Sequence, residues 1–250
     1  MKTKIWPGCR VLNTRPAAQA EGLNHWIEAA GGIAVPCPML AIEPLPSEQW
    51  VPFLPPLQQI NQAIFTSANA AKYFITGLQK SAPNAIELLP PTLNLIAIGQ
   101  ATATALAQYG LTIDTIPPTS NSEHLLNLPC LQSVHHQSIL LVKGKGGRTL
   151  IAETLQKRKA NLILVDVYQR KKPLIDDNQL QRLWRENQID MIVFTSKEAM
   201  QNLMALLGEE ALPWLRGKPC LVISQRLAAY AKEIGIQHIT LFDNIGELQG

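Results

Sequence analysis

The sequence predicts an α/β protein of two doubly wound parallel-sheet domains arising from an internal duplication. Three observations carry this expectation. Apolar runs of strand length alternate with stretches of helical periodicity, the order that builds parallel sheets flanked by helices. Several runs, LIAI at 95–98 and LILV at 162–165 among them, are apolar throughout, as strands covered on both faces must be. The units also recur in one order. Val11 aligned with Leu140 and Phe65 aligned with Phe194 share a single offset, and Gly99 meets Ser224 at a slightly shorter one, as a small loop deletion leaves it.

Along the chain, RVLNTRP (10–16) reads as a strand and turn, followed by a helical stretch to Ala30 and the apolar run IAVPCPMLAI from Ile33. From Pro44 to Pro56, Pro46, Pro52 and Pro55 rule out a central strand or a helix interior, so an exposed connection is expected. AIFTSANAA, with Phe65, reads as strand, Thr/Ser turn and helix start. LIAIGQATATALAQYG repeats that pattern around Gly99, with Ala101, Ala105 and Leu106 at helical spacing. SILLVKG from Ser138, the helical RTLIAETLQKRK and the strand LILVDVYQR follow. A second connection through Arg170, Lys171, Lys172 and Pro173 stands where the first does in the other copy, and IVFTSKEAM and CLVISQRLAAYAKEIG close the chain's second set.

Composition narrows the function classes. With 46% hydrophobic and 16% charged residues the chain can build packed cores and is neither disordered nor collagen-like. A net charge of +3, with basic residues scattered, argues against nucleic acid but leaves a small anionic ligand open. Lys2 and Lys4 are followed by Pro7, Gly8, Cys9 and Arg10 rather than a signal-peptide core, and no apolar run of about 18 residues follows, so a soluble, cytoplasmic protein without membrane contact is expected. Cys9, Cys37, Cys130 and Cys220 form no CxxC pair, which speaks against structural zinc or a disulfide framework, and Cys37 reads as a buried thiol. The histidines (25, 124, 135, 136 and 238) show no HExxH or other ligand spacing, and His135 and His136 are expected to point apart; no metal site is expected.

In an open parallel sheet a ligand sits beyond the carboxyl ends of the strands, where helix N-termini offer unpaired N–H groups. The polar residues at those ends are therefore the candidates: Thr14 and Arg15, Thr66 and Ser67, Gly99 to Thr102 with Gln100, Lys143 to Arg148 with Gly144, Thr195 and Ser196, and Ser224 to Arg226. Ser and Thr there are equally good helix N-caps, and the two roles are compatible. VKGKGGR (142–148) lacks the GxxxxGK[ST] order of a nucleotide-hydrolysing loop but can cradle an anion, and AIGQATATAL lacks GxGxxG, so no NAD or FAD is expected. No GxSxG elbow occurs. Tyr168 is read as closing the strand LILVDVYQR, where its phenol either donates a proton or simply packs.

The motifs NTRP, FTSANA, AIGQATATAL, NSEHLL, GRTLIAETLQKRKA, VYQR, FTSKEA and SQRLAAYA, in this order and spacing over nearly the whole chain, resemble the uroporphyrinogen-III synthase family. The sequence departs from the family's usual pattern at Lys159 and His124, where glycines are customary. At the first, Asn161 is the expected source of a left-handed helix stop.

The resemblance implies two flavodoxin-like domains joined by a two-stranded β-ladder: residues 1–40 with 174–250, an inserted domain of 44–168, and linker strands at 41–43 and 169–173. It also implies a cofactorless, cyclising hydro-lyase of haem biosynthesis acting on hydroxymethylbilane. Loss of the terminal hydroxyl gives an azafulvene, and attack by the substituted end of the last pyrrole gives a spiro intermediate that re-closes with that ring inverted. Within that scheme Tyr168 is the expected proton donor. Thr66, Ser67, Gln100, Thr102, Ser196 and Ser224, with Gly99, Gly144 and Thr195 beside them, are expected to bind acetate and propionate groups, with charge from Arg15, Lys143, Arg148 and Arg226. The expected assembly is a monomer in transient contact with the enzyme that makes hydroxymethylbilane. The alternative from another class is a bilobed, non-catalytic binding protein for a small polyanion.

Overall fold

Ten short strands and nine α-helices follow one another in a computed structural model that describes residues 5–84, 89–173 and 175–242. Lys2, Lys4 and the expected boundary at Leu174 lie outside the described residues. In chain order the elements are β1 (Arg10–Asn13), α1 (Glu21–Ala29), β2 (Ile33–Pro36), β3 (Ala41–Pro44), β4 (Gln62–Phe65), α2 (Ala68–Ser81), β5 (Asn94–Ala97), α3 (Gln100–Ala107), α4 (Ser122–Leu126), β6 (Ser138–Gly144), α5 (Leu150–Lys157), β7 (Asn161–Lys171), α6 (Asp177–Arg185), β8 (Met191–Phe194), α7 (Lys197–Leu207), α8 (Leu212–Gly217), β9 (Pro219–Val222), α9 (Gln225–Glu233) and β10 (His238–Leu241). By internal contacts the chain divides into two compact units, Met1–Ile42 with Lys171–Gly250, and Glu43–Arg170.

The first unit holds a five-stranded sheet in the order β10-β9-β8-β1-β2, and its neighbouring strands pair in parallel. Numbered within the unit, that order is flavodoxin-like, with the direction of winding reversing between β1 and β8. Alternate residues of each strand serve opposite faces. Val11, Val193 and Leu221 pack toward Leu23 and Ile27 of α1, whereas Leu12, Ile192, Phe194 and Val222 pack toward α6 to α9. Burial on both faces explains why β8, MIVF, has no polar residue.

The second unit has the sheet order β3-β7-β6-β4-β5, with β7, β6, β4 and β5 paired in parallel. Ile64, Ile96, Ile139 and Leu141 face α4 and α5, and Phe65 meets Phe74 of α2 edge-on at 5.6 Å. The proline-rich stretch is a mostly exposed connection, as expected, but not a loose one. It folds into three 3-10 turns, Ser47–Gln49, Val51–Phe53 and Leu57–Gln59, and Trp50 between the first two is buried and stacks on Phe74 at 5.4 Å. Prolines forbid regular ladders but not short turns, and one aromatic side chain is enough to dock them.

Two further local expectations are corrected. The left-handed residue after α5 is Lys159 itself, at φ +61°, while Asn161 begins β7. His124 lies in α4, where its N–H is capped by Asn121 Oδ1 at 2.8 Å, and His135 and His136 bring their rings within 3.6 Å rather than pointing apart. Among the described residues no helix is long and apolar enough to cross a membrane, and no three His, Cys, Asp or Glu side chains gather as a metal site.

Candidate functional site

In the second unit the chain winds from β4 out to β5 and from β6 out to β7, so α2 and α5 leave neighbouring strands toward opposite faces. That reversal opens a crevice at the carboxyl ends of β4 and β6, where doubly wound sheets bind ligands. A cavity of about 380 Å³ lies there, lined by Thr66 and Ser67 after β4, Lys143 and Gly144 at the end of β6, Gly146 to Thr149 after it, and Tyr168 and Arg170 of β7, above a floor that includes Leu141 and Ile151. The volume suits part of a large ligand. A second cavity, about 320 Å³ in the first unit, lies by the C-terminal ends of α6 and α7, hence at the amino side of that sheet.

Tyr168 does not close its strand, because β7 continues to Lys171. Its place is set by a register shift: Lys143 pairs with Asp166 but Gly144 pairs with Tyr168, so Val167 is an extra residue in β7. Such a bulge re-aims the following side chain. The phenol lies across Gly144, where an added Cβ would come within 2.5 Å of Tyr168 Cζ. The ring is 3% exposed, and its hydroxyl reaches Ser67 Oγ at 3.2 Å. That same Oγ caps α2 by accepting the Ala70 N–H at 3.0 Å. Capping and contact with a second group therefore coexist at Ser67.

The charges around the cavity are paired. Lys143 Nζ donates to Asp166 Oδ1 at 2.9 Å, and Arg148 donates to Glu123 Oε1 at 2.6 Å. The Arg148 guanidinium holds the Glu123 carboxyl below the usual range. Gly146 and Gly147 take φ of +76° and +84°, which lets the loop turn tightly into α5, whose first turn has no side-chain cap. Thr66 Oγ1 donates to Val142 O at 3.1 Å and ties β4 to β6. Gly99 and Gln100 begin α3 beside Ile98 of the cavity but do not line it, and Thr102, 3% exposed, is turned into the protein.

The first unit places its candidates at the matching ends of β1, β8 and β9. Ser196 caps α7 by accepting the Ala199 N–H at 3.0 Å, and Ser224 caps α9 by accepting the Leu227 N–H at 3.3 Å. Thr195 follows β8 and is half-buried, while Arg226 is exposed in the first turn of α9. Arg15 follows β1, and burial pushes its guanidinium pKa down. Thr14 is fully buried and donates to Val193 O at 2.6 Å.

Sequence reasoning missed Ser122, Thr149 and Arg170 of the cavity. The signal for Arg170 was its place two residues after Tyr168, on the same face of a strand. Its guanidinium lies 5.8 Å from the Tyr168 ring centroid. No cysteine reaches the site, and burial raises the thiols of Cys9 and Cys37 to about 11 and that of Cys220 to about 12, which suits core packing rather than nucleophilic work.

The sequence profile of uroporphyrinogen-III synthase HemD matches residues 21–242, a span that takes in this cavity and the ends of β8 and β9 in the first unit but begins after β1 and Arg15. This chain belongs to the uroporphyrinogen-III synthase family. It is 31% identical to the uroporphyrinogen-III synthase of Escherichia coli K12 over 94% of this chain and 95% of that one, and 32% identical to that of Salmonella typhimurium LT2 with the same coverage. The fold is shared with solved uroporphyrinogen III synthases. A mutant from the extreme thermophile Thermus thermophilus has a TM-score of 0.65 at 18% identity, and that of Helicobacter pylori 0.62 at 15%, each covering 96% of both chains. The uroporphyrinogen-III synthase family is one of cyclising lyases of porphyrin biosynthesis, and this chain is an enzyme of that kind.

Proposed function

We propose that the chain cyclises hydroxymethylbilane to uroporphyrinogen III with Tyr168 as the proton donor to the departing hydroxyl. The observation that carries this reading is the phenol of Tyr168, set by a bulge against Gly144 at a cavity on the β4/β6 switch point. Protonation of the terminal hydroxyl lets the C–O bond break to water while the adjacent pyrrole nitrogen supplies the electron pair for the azafulvene. The substituted carbon of the last ring then attacks, and fragmentation and re-closure invert that ring. The electrophile closes without inversion when unconstrained, so holding the chain ends is the enzyme's main task.

Acetate and propionate groups are met by the uncapped first turn of α5, by Arg148 and Lys143 exchanging Glu123 and Asp166 for substrate carboxylates, and by Thr66 with the N-terminus of α2 behind it. Strand-end groups of the first unit, Arg15, Thr195, Ser196, Ser224 and Arg226, bind further carboxylates, and the start of α3 at Gly99 and Gln100 adds backbone donors.

The two units derive from a duplication in which the chain crosses between them by two adjacent strands. Support comes from strand order: replacing β9, β8, β1 and β2 by their sequence counterparts β5, β4, β6 and β7 reproduces the order of four of the five strands in the other sheet, with β10 and β3 the strands added to each. β3 adjoins β7, and the division of the chain falls within β3 and at the end of β7.

The test is to generate hydroxymethylbilane in situ, add the protein without metal or cofactor, and resolve the oxidised isomers. Type III is expected to dominate. Type I alone, from folded protein and fresh substrate, would leave a binding protein and sink the assignment. Tyr168→Phe is expected to lower turnover about a hundredfold, the lower end of general-acid contributions.

A further inference from the structure

Resting on Tyr168 as proton donor, we propose that Ser67 is the positioning residue of that step. Through its hydroxyl, the N-terminus of α2 holds the phenol and stabilises the phenolate left when the proton departs. Ser67 Oγ accepts the Ala70 N–H at 3.0 Å and lies 3.2 Å from Tyr168 Oη. A serine hydroxyl has two acceptor positions and one donor. The helix occupies one acceptor, which leaves the rotating O–H for the phenol. With Tyr168 neutral, either oxygen can donate. Once the phenol proton has passed to the leaving hydroxyl and the C–O bond has broken to water, Ser67 donates to the phenolate. That bond to a charged oxygen is stronger than the neutral one it replaces. The positive end of α2 stands behind it. The phenolate regains a proton when the re-closed ring loses one to restore its pyrrole, so the cycle balances.

A contrast within the molecule separates this role from capping. Ser196 caps α7 with the same geometry, its Oγ accepting the Ala199 N–H at 3.0 Å. Yet at the offset that pairs Phe65 with Phe194, Tyr168 aligns with Met39, which is fully buried and has no hydroxyl. Gly144 aligns with Arg15 at that offset, so the missing Cβ that admits the phenol is also confined to one copy. The cap is common to both units and the phenol is not.

The experiment compares Ser67→Gly, which removes the hydroxyl at a position where glycine still caps a helix well, with Ser67→Thr, which keeps it. Ser67→Gly is expected to lower kcat roughly tenfold at nearly constant KM, the loss of one hydrogen bond to a charged group. Ser67→Thr should restore it. In a Tyr168→Phe background Ser67→Gly should cost nothing further, because it acts through the missing hydroxyl. A rise in KM with kcat held, or losses that multiply in the double variant, would overturn the Ser67 role while leaving Tyr168 in place. Tyr168→Phe with wild-type kcat would remove both.

Discussion

At Gly144 the chain tolerates only a hydrogen. A Cβ there would meet Tyr168 Cζ at 2.5 Å, so the phenol and the strand cannot both keep their places. Gly144→Ala is therefore expected to cost about 1–3 kcal/mol in a urea melt, as overpacking does. It should lower type III turnover beyond that, since the displaced group is the proposed donor. A variant with wild-type turnover and midpoint would show that the ring is free to move. Lys159 is the opposite case. It occupies a left-handed conformation at φ +61° just after α5, where glycine carries no steric penalty. Lys159→Gly should stabilise the protein by roughly 1 kcal/mol without affecting turnover, read as a higher urea midpoint at unchanged slope.

At the scale of elements, β1 and β8 are clamped at their amino ends. Arg10 grips Asp190 with Nε and Nη2 at 2.9 and 2.8 Å, and the Arg10 N–H adds a third bond at 2.9 Å. These bonds pull the Asp190 carboxyl down to about 2. A depressed carboxyl contributes stability above its unfolded value, near 3.9, and loses it as pH falls through the folded value. The stability gap between the protein and Asp190→Asn should thus be constant above roughly pH 4 and shrink toward pH 2, while turnover at neutral pH is unchanged. A gap that did not vary with pH would assign the clamp no ionic part.

Strands of this kind were legible in the sequence because burial on both faces leaves unbroken runs such as MIVF and ILLV (139–142), and the switch-point turns were legible from the Thr/Ser pairs that end them; LILV runs equally unbroken but is not covered on both faces, since Leu164 is 51% exposed. The bulge that aims Tyr168 was not, since one extra residue in a long apolar strand leaves no compositional mark. Nor was the docking of Trp50 on Phe74, which depends on where three short turns place one ring, or the burial of Thr102, which turns on helix phase. Arg170 was named only as part of a connection because the end of β7 was placed too early.

On the scale of the whole molecule, the two units are built differently from one chain. Unit Glu43–Arg170 is continuous, whereas the other needs both Met1–Ile42 and Lys171–Gly250. Each sheet is served by its own buried clusters, with Ile64, Ile96, Leu141 and Leu155 in one and Leu12, Ile192, Phe194 and Val222 in the other. A unit with its own core can fold alone. An isolated 43–170 fragment is therefore expected to unfold cooperatively in urea and to keep Trp50 fluorescence characteristic of a buried indole. A 1–42 fragment, holding β1 and β2 without β8, should remain unfolded. The 43–170 fragment carries Tyr168, Ser67 and the cavity, yet on the proposal that strand-end groups of the first unit bind substrate carboxylates it should leave hydroxymethylbilane to close to type I. Type III from the fragment would place all substrate binding in one unit and would remove Arg15, Ser196 and Ser224 from the proposed site. Failure of the fragment to fold would instead show that its core is completed by the rest of the chain.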